Sequence, residues 1–264
     1  MTRRIEVRDG VSLPYVEQGD PAGVPVVLLH GYSDSWRSYE LLLAELPESV
    51  RAFALTQRGH GDADKPATGY RPDDHADDVI AFMDAVGVDA AVVVGHSGGS
   101  YTAQRLAIDH PKRALGLVLI GAFRSLREVL EEMSPVVSEL TDPVDPAFVR
   151  EFQESCVTGP LPDGFLDAIV ADSLKLPARV WRDYLRAFSD AQVPTETGVI
   201  TAPGLVLWGD EDALATRADQ EALQAAIAGS RLVTYAGVGH CPHWERPRPC
   251  AAEIAAFAGA LQEG

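Results

Sequence analysis

The sequence predicts an α/β protein with a mostly parallel, doubly wound sheet, on three observations. Apolar runs at residues 24–29, 50–55, 90–94, 115–120 and 205–208 lack polar alternation, as strands do when helices cover both faces. Segments with helical spacing of apolar residues separate these runs, so strand and helix alternate along the chain. One long stretch, residues 124–195, breaks the rhythm with helical patterns, repeated prolines and no buried strand.

Taken in order, residues 5–7 and 11–15 bracket Asp9-Gly10 and predict an antiparallel hairpin at a sheet edge. The run at 24–29 leads into His30-Gly31-Tyr32, and the run at 50–55 into Gln57-Arg58-Gly59-His60-Gly61. Ala76, Val79, Ile80, Met83 and Val86 fall at helical spacing between a Pro72-Asp73-Asp74 start and a Gly87 stop. After the run at 90–94 comes Gly95-His96-Ser97-Gly98-Gly99, then a helix over 103–110 that ends at Pro111. Residues 124–195 read as a helical cap inserted between two late strands, over the carboxyl edge of the sheet. That leaves 1–123 and 196–264 as the core. Leu223, Ala226 and Ile227 mark a helix ending at Gly229, residues 232–235 a further strand, and Ile254, Phe257, Ala258 and Leu261 a last helix.

Composition narrows the function. The chain has 264 residues, 46% of them hydrophobic and 23% charged, as in a soluble globular protein. A net charge of −17 repels phosphate backbones and anionic lipid, so neither nucleic acid nor membrane is an expected partner. No apolar stretch approaches the roughly 20 residues that span a bilayer, and the amino terminus lacks the apolar core of a signal peptide. The 3 cysteines (Cys156, Cys241, Cys250) are too scattered for a disulfide framework or a metal knot, so a cytoplasmic protein with reduced thiols is expected. No phosphate-binding glycine motif is present either, and a cofactor-free, metal-free mechanism on a small-molecule substrate is expected.

The chemistry centres on Ser97. A serine between glycines at a strand-to-helix junction is a nucleophile elbow, with the hydroxyl held beside the amino terminus of the next helix. Serine needs a base to take its proton and a third group to orient that base. Gly209-Asp210-Glu211-Asp212 places carboxylates after one downstream strand, and Gly237-Val238-Gly239-His240 places a histidine after the next. The order Ser, Asp, His is the one that accompanies this elbow. Asp210 competes with Asp212 as the acid, and His243 is a nearby rival for His240. Glu245 reads as a salt-bridge partner.

On these residues the chain resembles the α/β-hydrolase fold superfamily over nearly its full length. His30-Gly31-Tyr32 resembles the family's oxyanion motif, and Gln57-Arg58-Gly59-His60-Gly61 the turn after the following strand, although the family often has aspartate where Thr56 or Gln57 stands. Gly209-Asp210-Glu211-Asp212 resembles the acid loop, and Gly239-His240 the histidine loop with Glu245-Arg246-Pro247 trailing. The cap carries no motif that matches. The resemblance implies Ser97 as nucleophile, His240 as base, and Asp212 as the orienting acid by its spacing from Gly209. It also implies the backbone N–H groups of Tyr32 and Gly98 as oxyanion donors. Trp36 and Phe123 are candidates for the substrate pocket. A serine elbow disfavours the carboxylate chemistry of epoxide hydrolases and haloalkane dehalogenases. The expected activity is hydrolysis of a carboxylic ester or lactone through an acyl-enzyme. C–C bond hydrolysis, acyl transfer or perhydrolysis with the same triad is the alternative, and a slow-turnover ligand sensor is a third reading.

Overall fold

A computed structural model describes residues 1–262. Among them, eight strands form one sheet in the order β1-β2-β4-β3-β5-β6-β7-β8. The strands are β1 (Arg3–Glu6), β2 (Ser12–Gln18), β3 (Val24–Leu29), β4 (Val50–Leu55), β5 (Ala91–His96), β6 (Ala114–Ile120), β7 (Gly204–Gly209) and β8 (Arg231–Tyr235). The pair β1–β2 is antiparallel, as the expected edge hairpin requires, β2–β4 is antiparallel as well, and the remaining pairs are parallel.

The helices are α1 (Glu40–Leu43), α2 (Pro72–Ala85), α3 (Gly98–Asp109), α4 (Arg127–Ser138), α5 (Pro146–Glu154), α6 (Phe165–Ser173), α7 (Ala178–Ser189), α8 (Pro194–Thr197), α9 (Arg217–Ala226), α10 (Pro242–Glu245) and α11 (Pro247–Ala260). The strands alternate their side chains between two cores. Val27, Leu29, Phe53, Val93 and Leu119 pack under α2, α3 and α9, while Val26, Leu28, Ala54, Val94 and Val118 pack under α1 and α11. Both sets are apolar, which explains the absence of alternation in the sequence. Truncating a fully buried member such as Leu28 to alanine costs about 2–5 kcal/mol.

Two boundaries differ from the sequence expectation for a common reason. β5 continues through Gly95 and His96, which pair with Leu119 and Ile120, and α3 starts at Gly98 instead of Ala103. Glycines mask both ends, because they add nothing to an apolar pattern.

Helices α4 to α8 lie between β6 and β7, and they form the cap. In α7, Val180, Trp181, Tyr184, Leu185 and Phe188 are buried along one face, and they join Tyr32, Tyr70 and Tyr101 of the core in a third hydrophobic cluster. Arg179 ties the same helix to the core by donating to the Pro66 carbonyl at 2.9 Å. The site follows from the topology. From β3 the chain steps outward to β4, and from β5 it steps the other way to β6. The loops after β3 and β5 therefore part at one crevice, the usual ligand position in such sheets.

Candidate active site

Ser97 sits in that crevice with φ 52° and ψ −122°, a strained conformation for a residue with a side chain. The flanking glycines make the turn possible. A Cβ on Gly95 would lie 2.4 Å from the Gly99 carbonyl oxygen, and one on Gly99 would lie 2.3 Å from the Leu29 carbonyl oxygen. The turn is further fixed by a 3.0 Å bond from the Ser97 N–H to the Ile120 carbonyl. Ser97 is half-buried and lines two small compartments.

Asp212 and His240 are in direct contact. His240 Nδ1 lies 2.8 Å from Asp212 Oδ2, and both side chains are almost fully buried. Asp212 Oδ1 accepts the N–H groups of Leu214 and Ala215 at 2.8 and 2.9 Å, which locks the carboxylate orientation. Burial pulls the His240 pKa down, but the charge and hydrogen bond of Asp212 outweigh it and hold the imidazole above 6.5. Asp210 serves elsewhere: its Oδ1 accepts the Gly237 N–H at 2.7 Å and shapes the turn before His240.

His240 Nε2 is buried without a hydrogen-bond partner among the described residues, and His240 shares a compartment of about 20 Å³ with Ser97. No hydrogen bond joins the Ser97 hydroxyl to that nitrogen in this conformation. Such contacts commonly form only when substrate is bound. His243 lies behind the site, with Nε2 3.2 Å from the Ser38 hydroxyl and its pKa lowered to about 3 by burial.

Tyr32 lines both compartments beside Ser97, and Gly98 lines one of them. The Gly98 N–H is the first of α3 and has no acceptor within the helix, while the Tyr32 N–H donates to no described residue. His30 links this loop to the next one. It accepts the Gln57 N–H at Nε2 (3.0 Å) and donates from Nδ1 to the Gly31 carbonyl (2.8 Å), and burial keeps it neutral.

The two compartments differ in chemistry. One holds Asp34, Gln153 and Cys156 beside Ser97 and His240. The other, about 30 Å³, is apolar and holds Phe123, Leu126, Val129, Leu130 and Met133. Phe123 lines this compartment, 5.6 Å from the His240 ring between centroids. Trp36 does not. It is half-buried against the core cluster under α1 and α11 with the Arg37 guanidinium over its ring, because its turn is anchored toward β4 by the Trp36 N–H donating to the Thr56 hydroxyl.

Several site residues carried no signal in the sequence. The Tyr184 hydroxyl comes so close to the elbow that a Cβ on Gly98 would lie 2.3 Å from it. Burial holds Asp34 up at about 6 against hydrogen bonds from Gln153 and Ser38. Glu245 forms no salt bridge among the described residues. Its Oε1 accepts the Gly239 N–H at 2.8 Å, and its Oε2 accepts the Gly159 N–H at 2.7 Å and the Thr158 hydroxyl at 2.9 Å. It thus joins the cap to the loop that carries His240.

The chain is 28% identical over 256 residues to a non-heme chloroperoxidase of Streptomyces lividans, covering 89% of this chain and 92% of the relative. It is 29% identical over 241 residues to a 2-hydroxymuconate semialdehyde hydrolase of Pseudomonas sp., covering 84% and 81%. The crystal structure of the esterase RhEst1 from Rhodococcus sp. is similar with a TM-score of 0.86 and 28% identity, over 98% of this chain and 99% of that one. The alpha/beta hydrolase family matches residues 26–253, and with the Ser97 elbow and the Asp212–His240 pair in place, this chain belongs to that family.

Proposed function

We propose that the chain is a serine hydrolase that cleaves an uncharged carboxylic ester or lactone through an acyl-enzyme on Ser97. The observation that carries this reading is the 2.8 Å Asp212–His240 pair, whose free Nε2 belongs to a residue sharing a compartment with Ser97. In this reading the Ser97 hydroxyl attacks the carbonyl carbon while His240 Nε2 takes its proton. The oxyanion is bound by the N–H groups of Tyr32 and Gly98, each worth about 3–4 kcal/mol in comparable sites. Collapse expels the alkoxide, which receives the proton from His240. Water then attacks the acyl-enzyme by the same route and releases the acid. Asp212 holds the imidazole by its Nδ1 and stabilises the imidazolium that forms.

The lining argues for an uncharged substrate. Among the described residues, neither compartment holds a lysine or arginine, and one holds Asp34. A substrate bearing a carboxylate would bury its charge without a partner. C–C bond hydrolysis is the second reading, favoured by the relative that acts as a semialdehyde hydrolase. A panel of p-nitrophenyl esters, lactones and a β-diketone separates the two. Multiple turnovers on neutral esters or lactones are expected. A diketone turned over far faster than any ester would replace the first reading with the second, and single-turnover kinetics on all would favour a sensor. Ser97→Ala is expected to lower kcat about a million-fold.

A further inference from the structure

We propose that Gln153, on cap helix α5, is a positioning residue that holds the loop carrying the Tyr32 N–H in its working shape. The inference rests on the reading of Tyr32 as an oxyanion donor. The loop from Gly31 to Ser35 is fully buried but poorly supported by its own backbone. Ser33 takes φ 66°, a left-handed conformation unfavourable for a residue with a side chain, and the Asp34 N–H reaches the Gly31 carbonyl only at 3.4 Å. The cap supplies what the loop lacks. Gln153 Nε2 lies 3.0 Å from Asp34 Oδ1 and 3.1 Å from the Ser33 hydroxyl, bridging two consecutive loop residues. The Ser35 hydroxyl donates to Asp172 at 2.6 Å, and the Tyr32 hydroxyl donates to the Trp181 carbonyl at 2.7 Å.

Of the cap residues Gln153, Asp172 and Trp181, it is Gln153 that also lines the polar compartment with Ser97 and His240. It is 1% exposed, and the Ser173 hydroxyl oxygen, 3.0 Å from Nε2, helps fix its amide. The other Asp34 oxygen accepts the Ser38 hydroxyl at 3.1 Å, so the carboxylate is held between core and cap. A loop so anchored responds to the cap: loosening α5 displaces the backbone donor without touching Ser97, His240 or Asp212. Displacements of about 1 Å in such donors cost on the order of a hundredfold in rate.

Gln153→Met keeps the volume and removes both donor hydrogens. It is expected to lower kcat tenfold to a hundredfold with KM within threefold, and to slow labelling of Ser97 by a fluorophosphonate to a similar degree. Hydrogen exchange at residues 31–35 is expected to accelerate. Asp34→Asn retains an acceptor for Gln153 and is expected to lose less kcat than Asp34→Ala, which should match Gln153→Met, and the double variant of Gln153→Met with Asp34→Ala should lose no more than either alone. If Gln153→Met fails to fold, the paired change Ser33→Ala with Asp34→Ala removes the same contacts from the loop side. Unchanged exchange at 31–35, a loss confined to KM, or additive losses in the double variant would overturn the assignment. A wild-type protein that labels at Ser97 yet hydrolyses no ester or lactone would instead count against the proposed substrate, since the exchange and labelling arms need none.

Discussion

His240 and Asp212 are joined by a 2.8 Å contact between Nδ1 and Oδ2, although Asp210 is two residues away on the same loop. The distinction is one of loop path. Two backbone N–H groups hold Asp212 toward the histidine, and Gly237 holds Asp210 away from it. Asp212→Asn is therefore expected to lower kcat about ten-thousand-fold, as loss of an orienting carboxylate does elsewhere. Asp210→Asn should stay within tenfold of wild type. Steady-state kinetics of the two variants check the assignment, and a reversed order would refute it.

The same pair fixes a pH dependence. As the proposed base, His240 would have to be neutral to accept a proton, and its pKa is raised above 6.5. The acid limit of kcat/KM should therefore lie above 6.5, with activity lost as pH falls through it. The stability effect has the opposite sign. The raised folded value means the imidazolium–Asp212 pair stabilises the fold fully below the unfolded pKa, and that contribution disappears as pH rises through the folded one. Activity and urea-unfolding midpoints measured from pH 5 to 9 test both signs together.

Glu245 links the cap to the histidine loop through the N–H groups of Gly239 and Gly159 and the Thr158 hydroxyl. Hydrogen bonds to a charged group contribute about 1.5–3 kcal/mol each, not additively. Glu245→Ala should destabilise the protein by about 3 kcal/mol and expose residues 157–161 to proteolysis. Denaturant unfolding and limited proteolysis measure these. Wild-type resistance in the variant would show that this link carries little.

Arg58 and Asp78 form a buried, two-point ion pair whose side chains are only 4% and 3% exposed. Nε reaches Oδ2 at 2.6 Å, and a second nitrogen reaches Oδ1. Removing one partner leaves a buried charge uncompensated, so Asp78→Ala should cost about 3–5 kcal/mol. The pair fixes the turn that sets His60 against Tyr184, with ring centroids 5.2 Å apart. A loss below 1 kcal/mol by equilibrium unfolding would contradict this.

Leu130 lines both the apolar compartment beside Ser97 and an outer cleft of about 230 Å³ between α4 and α7. It separates the two spaces. Leu130→Ala should merge them and shift the preferred acyl chain of p-nitrophenyl esters toward greater length, while Leu130→Phe should shift it toward acetate. An unchanged chain-length profile in both variants would place the substrate entrance elsewhere.

Local sequence determined much of this protein. Residues 24–29 and 50–55 coincide with β3 and β4, since a strand buried on both faces must be apolar at every position. The elbow was legible because its glycine and serine pattern fits within five residues at a strand end, although the limit on Gly99 comes from Leu29 of the neighbouring strand. The candidate triad was legible because each member follows a strand end. Tertiary structure decided the rest. Trp36 looked like pocket and is core, because a bulky aromatic in sequence does not reveal which face of the sheet it will pack against. Gln153, Tyr184 and Asp34 gave no signal and Glu245 suggested the wrong kind of partner, because their roles arise from contacts between segments up to about 120 residues apart, such as Gln153 with Ser33 and Asp34. Periodicity and turn chemistry act over a few bonds and so are written in the chain. The partner of a buried polar side chain is chosen only when distant loops close around it.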